Sequence, residues 1–269
     1  MLIRNFLTNR KSIREYKNKE VNQDILNELI DYGNVLESGV NIRHFKFSLY
    51  RNGKSIYEAL IGKGGYAGVM IKSPHYISLD ILNDSTKSIV KASYAMESLI
   101  TKATELGLGT CWISIENVDE KTKKEILDNG SQVNYLLAVG YPAVKNPFKE
   151  DVASCRLSIE EIVYKDEIGK NIELDEIENR GLSDLFYYIR FAPSSYNNQP
   201  WRFVLKDDRV VLILKCNDEK FRLVDAGIIM YYFENMAKAI GISGKWDFLS
   251  MDNREMDGNV YKIIGEFKL

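Results

Sequence analysis

The chain has 269 residues, of which 45% are hydrophobic and 28% charged, and its formal net charge is −2 at pH 7. These values predict a folded globular protein of one large domain or two small ones, and they argue against nucleic acid or an anionic membrane as the main partner. Three cysteines without a Cys-x-x-Cys pair and only two histidines exclude a disulfide framework and a histidine-rich metal site, so we expect no bound metal.

The N-terminus and the hydropathy of the chain predict where the protein is found. The first residues lack the apolar core of a signal peptide, and no apolar run is long enough to span a membrane. An odd number of widely spaced cysteines is typical of reduced thiols. We therefore expect a cytoplasmic protein without a membrane partner.

Apolar spacing predicts four elements in the first part of the chain. Residues 22–33 and 86–106 carry apolar side chains at helical spacing, and Gly107 ends the second of these helices. Residues 45–50 alternate as a strand does, and residues 135–139 form an apolar run typical of a buried strand.

The second part of the chain shows the same kinds of pattern in a similar order. Residues 181–191 and 225–240 are predicted as helices. Residues 202–206 and 209–215 are predicted as a hairpin, and residues 260–268 as a last strand.

Three weak internal matches follow one another in the same order in both parts. Each match alone is close to chance, and a coincidence among helix-loop-strand patterns is the alternative. A duplication predicts that each half runs helix, loop, strand, long helix, turn, strand. The matched pairs are 31–50 with 187–206, 92–112 with 226–246, and Val139–Gly140 with Ile264–Gly265.

Residues 165–180 are highly charged and contain few apolar side chains. Such a composition is typical of a connection between packed regions. We therefore predict two related halves, residues 1–165 and a shorter second half, residues 166–269.

The segment Arg10–Arg14 reads Arg-Lys-Ser-Ile-Arg, which places three cations and one hydroxyl within five residues. Arginine presents a planar fork to phosphate oxygens, and serine adds a neutral donor. The segment therefore predicts a compact anion site. A solvated basic patch between two helices is the alternative that spacing alone leaves open.

The segment Pro193–Trp201 reads Pro-Ser-Ser-Tyr-Asn-Asn-Gln-Pro-Trp. Serine and asparagine offer side-chain donors and local backbone turns, and a proline holds each end of the loop. This composition suits a polar, planar ligand. An ordinary helix-to-strand loop is the alternative.

Two glycine-containing segments lack the signatures of nucleotide loops. Gly107–Ser114 begins Gly-x-Gly, but it follows a helix and has no third glycine, so its glycines are expected to allow close backbone approach instead. Gly62–Tyr66 lacks the ending of a phosphate loop, and we interpret it as a mobile loop that could border a site. Cys111, beside Trp112, is predicted to be a packed core residue and not a nucleophile.

Taken together, these segments resemble the nitroreductase family of FMN-dependent oxidoreductases, in particular the fused pseudo-dimer branch described as putative TM nitroreductase. The Pro-Ser-Ser-x-Asn-x-Gln-Pro-Trp loop is the most specific of the matching pieces. The resemblance covers most of residues 10–165 and a shorter part of 183–265. The matching pieces are Arg10–Arg14, Gly107–Trp112, Val139–Pro142, Arg156–Val163 and Pro193–Trp201.

The resemblance implies an α+β fold with a central, mainly antiparallel sheet wrapped by helices, built from two degenerate repeats that form a pseudo-dimer. The usual member is a homodimer, and each of its two FMN sites takes the arginine-rich segment from one subunit and the Pro-Ser-Ser loop from the other. Here the place of that loop in the first half reads Glu37–His44, and the second half has nothing like Arg10–Arg14. We therefore expect one complete site within a single chain, a degenerate second site, and no need for the usual dimer, so that a monomer suffices.

Carried over residue by residue, the resemblance implies cofactor contacts from both halves. The arginine-rich segment and Arg156 would hold the phosphate and the ribityl chain, and the backbone N–H groups of Ser114 and Ile115 would face flavin N5 and O4. No side chain is expected as a catalytic residue, because flavin N5 is the reactive centre. The implied FMN contacts are Arg10, Lys11, Ser12, Arg14, Ser114, Ile115, Arg156, Pro193, Ser194, Ser195 and Asn197.

The resemblance also implies an activity. The expected protein is an FMN-dependent oxidoreductase that passes electrons from NADH or NADPH to a small acceptor, such as a nitroaromatic or a quinone, by a ping-pong mechanism. A non-catalytic flavin-binding or sensing protein is the main alternative, and a family relic without flavin is the second.

Overall fold

The computed structural model describes residues 2–38, 44–127, 133–144, 155–216 and 222–269. The chain forms two compact units. The first-repeat unit contains residues 11–151, and the second-repeat unit contains residues 1–10 and 152–269. In chain order the helices are α1 (Ile3–Asn9), α2 (Gln23–Ser38), α3 (Gly53–Leu60), α4 (Thr86–Glu105), α5 (Glu120–Ile126), α6 (Ile159–Ile162), α7 (Leu174–Asn179), α8 (Ser183–Ile189) and α9 (Leu223–Ala239). The strands are β1 (Phe45–Tyr50), β2 (His75–Ile81), β3 (Gly109–Ser114), β4 (Val133–Gly140), β5 (Val163–Lys165), β6 (Trp201–Leu205), β7 (Arg209–Cys216), β8 (Trp246–Phe248), β9 (Arg254–Met256) and β10 (Asn259–Lys268).

The first-repeat unit is built on a four-stranded antiparallel sheet in the order β1-β2-β4-β3. The long helix α4 packs against this sheet and against α2. Its first turn is stabilised by Ser85, whose hydroxyl accepts a hydrogen bond from the Ser88 N–H at 3.2 Å. Its apolar residues recur at helical spacing and are buried. They include Ala92, Met96, Leu99 and Ala103.

The opposite face of this sheet is covered by α3 and α5. Ile56 and Leu60 of α3 are buried there with Tyr76 of β2, and Cys111 belongs to the same apolar cluster. The prediction that Cys111 is a core residue is therefore confirmed. Because helices cover both faces, the two central strands β2 and β4 have buried side chains on both sides.

The second-repeat unit is built on a six-stranded sheet whose main path runs β5-β6-β7-β10-β8, with β9 paired to β10. Its strand pairs are antiparallel except for β5 and β6, which run parallel. Helices α1, α8 and α9 pack together in this unit. Phe233 of α9 lies in a group of aromatic rings with centroid separations of 4.9 to 6.2 Å. The other members are Phe186, Phe203, Trp246 and Phe267.

The elements predicted from apolar spacing are present, with ends that shift by a few residues. The fold is α+β and its sheets are mainly antiparallel, as expected, but each unit has a sheet of its own instead of one central sheet. The charged stretch 165–180 also contributes apolar side chains to the second-repeat unit. Ile172 is buried, and Ile177 is buried in α7, so part of this stretch belongs to the core of that unit.

The compact units divide the chain differently from the predicted halves 1–165 and 166–269. Helix α1 and residues 152–165 belong to the second-repeat unit, because α1 packs on α8 and α9 and β5 pairs with β6. The division into residues 1–165 and 166–269 therefore remains a prediction about sequence repeats, and it does not describe the compact units. Within the described ranges, no helix combines the length and apolarity needed to cross a membrane.

Candidate functional site

Residues 11–17 form an extended strap on the first-repeat sheet. The Ile13 N–H donates to the Thr110 carbonyl at 2.8 Å, and the Lys17 N–H donates to the Tyr141 carbonyl at 2.9 Å. The strap therefore runs from the beginning of β3 to the residues that follow β4. A solvated patch between two helices, the alternative for this segment, does not describe its backbone.

Gly109 allows the strap to lie this close to the sheet. A Cβ atom at this position would lie 2.7 Å from Cγ1 of Ile13 and within 2.9 Å of two further atoms of the same side chain. The Tyr16 hydroxyl donates to the Ala138 carbonyl at 3.2 Å, and burial raises the pKa of this phenol. Both contacts hold the backbone that carries the basic side chains.

The strap carries the predicted cations and hydroxyl of this unit. Lys11 and Arg14 are exposed, and Ser12 is half-buried. With the residues that the structure describes, Arg14 forms no ion pair to a carboxylate. A fixed backbone with a solvated guanidinium is a suitable place for a phosphate oxygen.

The two predicted backbone donors at the end of β3, the N–H groups of Ser114 and Ile115, point in opposite directions. The Ile115 N–H donates to the Asn134 carbonyl at 2.8 Å, and Ile115 is 1% exposed. In an antiparallel pair the hydrogen-bonding direction alternates, so the N–H of Ser114 points away from β4. The expectation for the Ile115 N–H is therefore wrong, because that donor is used within the sheet, whereas the role of the Ser114 N–H stays a prediction.

The glycine-rich segment 62–66 lies beside the same strand end. The Gly65 N–H donates to the Ser114 carbonyl at 2.8 Å, and the Gly62 N–H donates to the Gly68 carbonyl at 3.1 Å. The Lys63 ammonium donates to the Thr122 hydroxyl at 2.8 Å. This loop therefore borders Ser114 and has internal and external hydrogen bonds of its own.

In the second-repeat unit, the Pro193–Trp201 loop has an unusual backbone. Tyr196, Asn197 and Gln199 have φ values of 55°, 57° and 46°, in the left-handed region that non-glycine residues rarely adopt. Each such residue costs of the order of 1 kcal/mol or more, so the surrounding contacts must hold the loop in this shape. An ordinary helix-to-strand connection does not require such a conformation.

Arg156 holds the middle of this loop. Its Nη1 donates to Asn197 Oδ1 at 2.7 Å and to the Ala192 carbonyl at 3.0 Å. The Asn197 Nδ2 in turn donates to the Cys155 carbonyl at 2.9 Å. Asn197, predicted as a flavin contact, therefore has both ends of its amide bonded within the loop and its neighbouring segment.

Three residues that the sequence reading did not assign complete the support of the loop. Gln199 Oε1 accepts the Leu157 N–H at 3.0 Å. Asp225 Oδ1 accepts the Ser195 N–H at 2.9 Å, and Arg222 Nη1 donates to the Ser195 hydroxyl at 3.2 Å. Gln199 was visible within the motif itself, and Asp225 stood in the first turn of a predicted helix, where acidic residues are favoured.

Two predicted cations influence one another in the same unit. Burial lowers the pKa of Arg156, and the positive charge of Arg10 lowers it further. Neither guanidinium forms an ion pair to a carboxylate within the described part of the chain. Two neighbouring cations favour an anionic ligand, which would relieve their repulsion.

The structure thus groups the predicted residues within each unit. In the second-repeat unit, the loop and the cations occur together. In the first-repeat unit, the strap lies at the beginning of β3 and the predicted donor lies at its end. The second-repeat unit contains Arg10, Arg156, Pro193, Ser194, Ser195 and Asn197, and the first-repeat unit contains Lys11, Ser12, Arg14, Ser114 and Ile115.

Known proteins share this fold. The crystal structure of a putative nitroreductase from Thermotoga maritima MSB8 matches with a TM-score of 0.59 at 16% identity, covering 98% of this chain and 94% of that chain. An FMN-dependent nitroreductase from Clostridium difficile R20291 is 26% identical over 54% of this chain and 91% of that chain, with a TM-score of 0.45. The first of these shows that the fold is nitroreductase-like.

Sequence comparisons agree. A putative NADH dehydrogenase/NAD(P)H nitroreductase from Methanothermobacter thermautotrophicus is 24% identical over 152 residues, which cover 53% of this chain and 78% of that protein. The family model described as putative TM nitroreductase matches residues 3–237, most of the chain. With the strap, the braced loop and the fold described above, this match shows that the chain belongs to the putative TM nitroreductase family.

Proposed function

We propose that the chain is an FMN-dependent oxidoreductase that binds one FMN and passes electrons from NADH or NADPH to a small acceptor, such as a nitroaromatic or a quinone, in a ping-pong reaction. Membership of a nitroreductase family supports an oxidoreductase. The Methanothermobacter relative is named for NADH and NAD(P)H, and the Clostridium relative for FMN. The proposal extends the cofactors in these names to this chain. We also propose that the protein is cytoplasmic, because its widely spaced cysteines are typical of reduced thiols.

The observation that carries the proposal is the polar loop braced by Arg156. The guanidinium of Arg156 donates to Asn197 Oδ1 at 2.7 Å and to the Ala192 carbonyl at 3.0 Å, and the positive charge of Arg10 contributes to the lowered pKa of Arg156. A ligand with a phosphate and a flat polar ring fits this donor set, because guanidinium groups bind phosphate oxygens and the loop offers serine hydroxyls. FMN has both parts, so the residues present fit this cofactor.

In the proposed complex, each group of residues has a separate role. Arg10, Lys11 and Arg14 balance the charge of the phosphate, and Ser12 donates to a phosphate or ribityl oxygen. The Ser114 N–H donates to the polar edge of the ring. When bound, FMN supplies the redox chemistry, and the protein orients it and stabilises negative charge with fixed donors.

The proposal of one FMN per chain rests on the unequal loops of the two repeats. The position of Pro193 corresponds to Glu37, whose carboxylate is buried and accepts the Phe47 N–H at 2.7 Å. Residues 39–43 lie outside the described residues, but their sequence lacks the second serine and the glutamine of the motif. One complete site per chain does not require a second subunit, so we propose that a monomer is active.

The test begins with the purified protein. A yellow protein with one FMN per chain that oxidises NADH or NADPH in the presence of a nitroaromatic or a quinone supports the proposal. Two FMN per chain would contradict the single site. A yellow protein that stays oxidised under NADH and NADPH is a flavin-binding protein without turnover. A colourless protein whose melting temperature does not rise with added FMN contradicts the proposed cofactor.

A pair of variants in the first-repeat unit locates the binding residues. Arg14→Gln should weaken FMN binding about tenfold, because a charge-assisted contact to phosphate is lost. Arg51→Gln is the matched control, since Arg51 is also an exposed arginine of this unit but donates to Gln23 and Asn27. Equal FMN affinity in the two variants would exclude Arg14 from the site.

A further inference from the structure

Asp225 is a buried carboxylate that contacts the loop from the first turn of α9. It is 1% exposed, and its Oδ1 accepts the Ser195 N–H at 2.9 Å. From the same end of α9, Arg222 Nη1 donates to the Ser195 hydroxyl. The backbone and the side chain of one loop residue are therefore held by two residues of one helix end.

Ser195 is the residue at which the unusual backbone begins. Tyr196 and Asn197 follow it with φ values of 55° and 57°. A short 3-10 turn spans Ser195–Asn197, and the Asn198 N–H closes it by donating to the Ser195 carbonyl at 3.1 Å. Because the left-handed residues are costly, a fixed Ser195 is what allows the turn to persist before a ligand binds.

The matched position in the first-repeat unit has the opposite chemistry. The alignment of 92–112 with 226–246, extended by one residue, pairs Asp225 with Lys91. The Lys91 ammonium lies 3.4 Å from His44 Nε2, and an ammonium has no lone pair to accept an N–H donor. Ser195 itself corresponds to Gly39, which is outside the described residues. The carboxylate contact is therefore present in one repeat and excluded by residue type in the other.

We propose that Asp225 is a positioning residue of the FMN site: it holds the Ser195 N–H and so keeps Ser194–Asn197 in the conformation that receives the flavin. This inference rests on the proposed function. It also gives a physical reason for the proposed difference in flavin binding between the loop of the second repeat and its counterpart. Asp225 acts through the loop and does not itself touch the cofactor.

The experiment compares three variants of the full chain. Asp225→Ala removes the acceptor, and Asp225→Asn keeps an Oδ1 atom that can accept the Ser195 N–H. Asp175→Ala is the matched control, because Asp175 is also an aspartate in the first turn of a helix of this unit but is exposed and does not cap it. Each protein is studied by hydrogen exchange of residues 193–200 without FMN, by FMN titration, and by the visible spectrum of the bound flavin.

Asp225→Ala should lose protection in residues 193–200, bind FMN at least about tenfold more weakly, and give a flavin spectrum closer to that of FMN in water. Asp225→Asn should restore protection and bind FMN within about threefold of the wild type, because a neutral acceptor replaces a charged one. Asp175→Ala should match the wild type in all three measurements.

The outcomes separate this inference from the proposed function. Unchanged exchange of residues 193–200 in Asp225→Ala overturns the positioning role, whether or not FMN binds. A lower melting temperature with unchanged FMN affinity and spectrum also overturns it, since it shows a purely structural role. An Asp225→Asn variant as weak as Asp225→Ala overturns the hydrogen-bond argument. A wild type that binds no FMN overturns the proposed function, while the exchange result still decides whether Asp225 braces the loop.

Discussion

In the first-repeat unit the strands lie in the order β1-β2-β4-β3, and in the second-repeat unit the corresponding strands lie in the order β6-β7-β10-β8. All of these neighbours are antiparallel in both units. Along the chain, α4 lies between β2 and β3, and α9 lies between β7 and β8. The two long helices therefore connect corresponding strands. The shared connectivity supports the duplication that the weak internal matches predicted.

The two units differ in what surrounds this common arrangement. The first-repeat sheet is covered on its second face by α3 and α5, which stand between β1 and β2 and between β3 and β4. In the second-repeat unit the same positions hold a tight turn and the segment that contains β9. A small cluster that includes Val211 and Tyr261 is packed there against Leu249 and Met256. The same strand order therefore forms with or without helices such as α3 and α5 on the second face of the sheet. A long helix, α4 or α9, packs on the first face in each unit.

The largest expected effect tests whether the long helices have equivalent cores. Phe233 and Leu99 occupy matched positions in α9 and α4, and both are fully buried. Phe233→Ala should lower the free energy of unfolding by about 4 kcal/mol and Leu99→Ala by about 3 kcal/mol, since a larger ring leaves a larger cavity. Denaturant unfolding measures both, with the exposed Tyr187→Ala as control. A larger loss for Leu99→Ala would contradict the equivalence.

A smaller effect tests whether the two units differ in their flavin loops. Arg156→Lys should weaken FMN binding by about 2 kcal/mol, because one ammonium nitrogen cannot replace both Nη1, which donates to Asn197 and the Ala192 carbonyl, and Nη2, which donates to the Phe191 carbonyl. Arg180→Lys is the control in the same unit, since Arg180 also bonds two carbonyls, those of Lys206 and Asp207. FMN titration by flavin fluorescence gives both affinities. If both variants lose affinity equally, the loop-specific role of Arg156 is excluded.

The next effect tests the symmetry of the helix ends. Gly107 and Gly241 lie two positions after the last residues of α4 and α9, and their φ values are 76° and 89°. No atom would lie within 4 Å of a Cβ at either position, so only the left-handed backbone resists substitution. Gly107→Ala and Gly241→Ala should each cost about 1.5 kcal/mol of unfolding free energy. Thermal unfolding in parallel checks this, and unequal costs would break the symmetry.

The smallest effect places acid sensitivity in one unit. The only histidines, His44 and His75, belong to the first-repeat unit, and burial lowers the pKa of both below the ordinary value of 6.5. For His75, the Arg51 carbonyl and Glu20 oppose this shift in part. The unfolded chain therefore takes up protons first, and stability is lost as the pH falls below about 6.5.

Each histidine contributes a slope of at most about 1.4 kcal/mol per pH unit, and we expect less than about 1 kcal/mol in total between pH 7 and 6. His75→Gln and His44→Gln should each flatten the dependence of the unfolding free energy on pH. Urea titrations between pH 5.5 and 7.5 measure it. An unchanged slope in both variants, or hydrogen exchange that increases first in the second-repeat unit, would refute this assignment.

Much of the candidate site could be anticipated from the chain. The basic segment and the polar loop were recognisable because their residue types are consecutive in sequence. Asp225 was not assigned, because its hydrogen bond joins residues 30 positions apart. Ile115 was misassigned for a related reason: which N–H of a strand faces outward depends on its pairing with β4, and a single sequence does not specify that register.

The sequence by itself determined the periodic elements, the two unlike loops and the family, since helical spacing, strand alternation and motif residues are local properties. Only the tertiary structure decided that α1, β5 and α7 pack into the second-repeat unit, because a short or charged segment becomes part of a core only when a partner strand or helix is available. The tertiary structure also decided that Asn197 braces the loop and that Ser114, not Ile115, directs its N–H away from the sheet. Such assignments depend on which donor meets which acceptor, and distant parts of the chain supply that information.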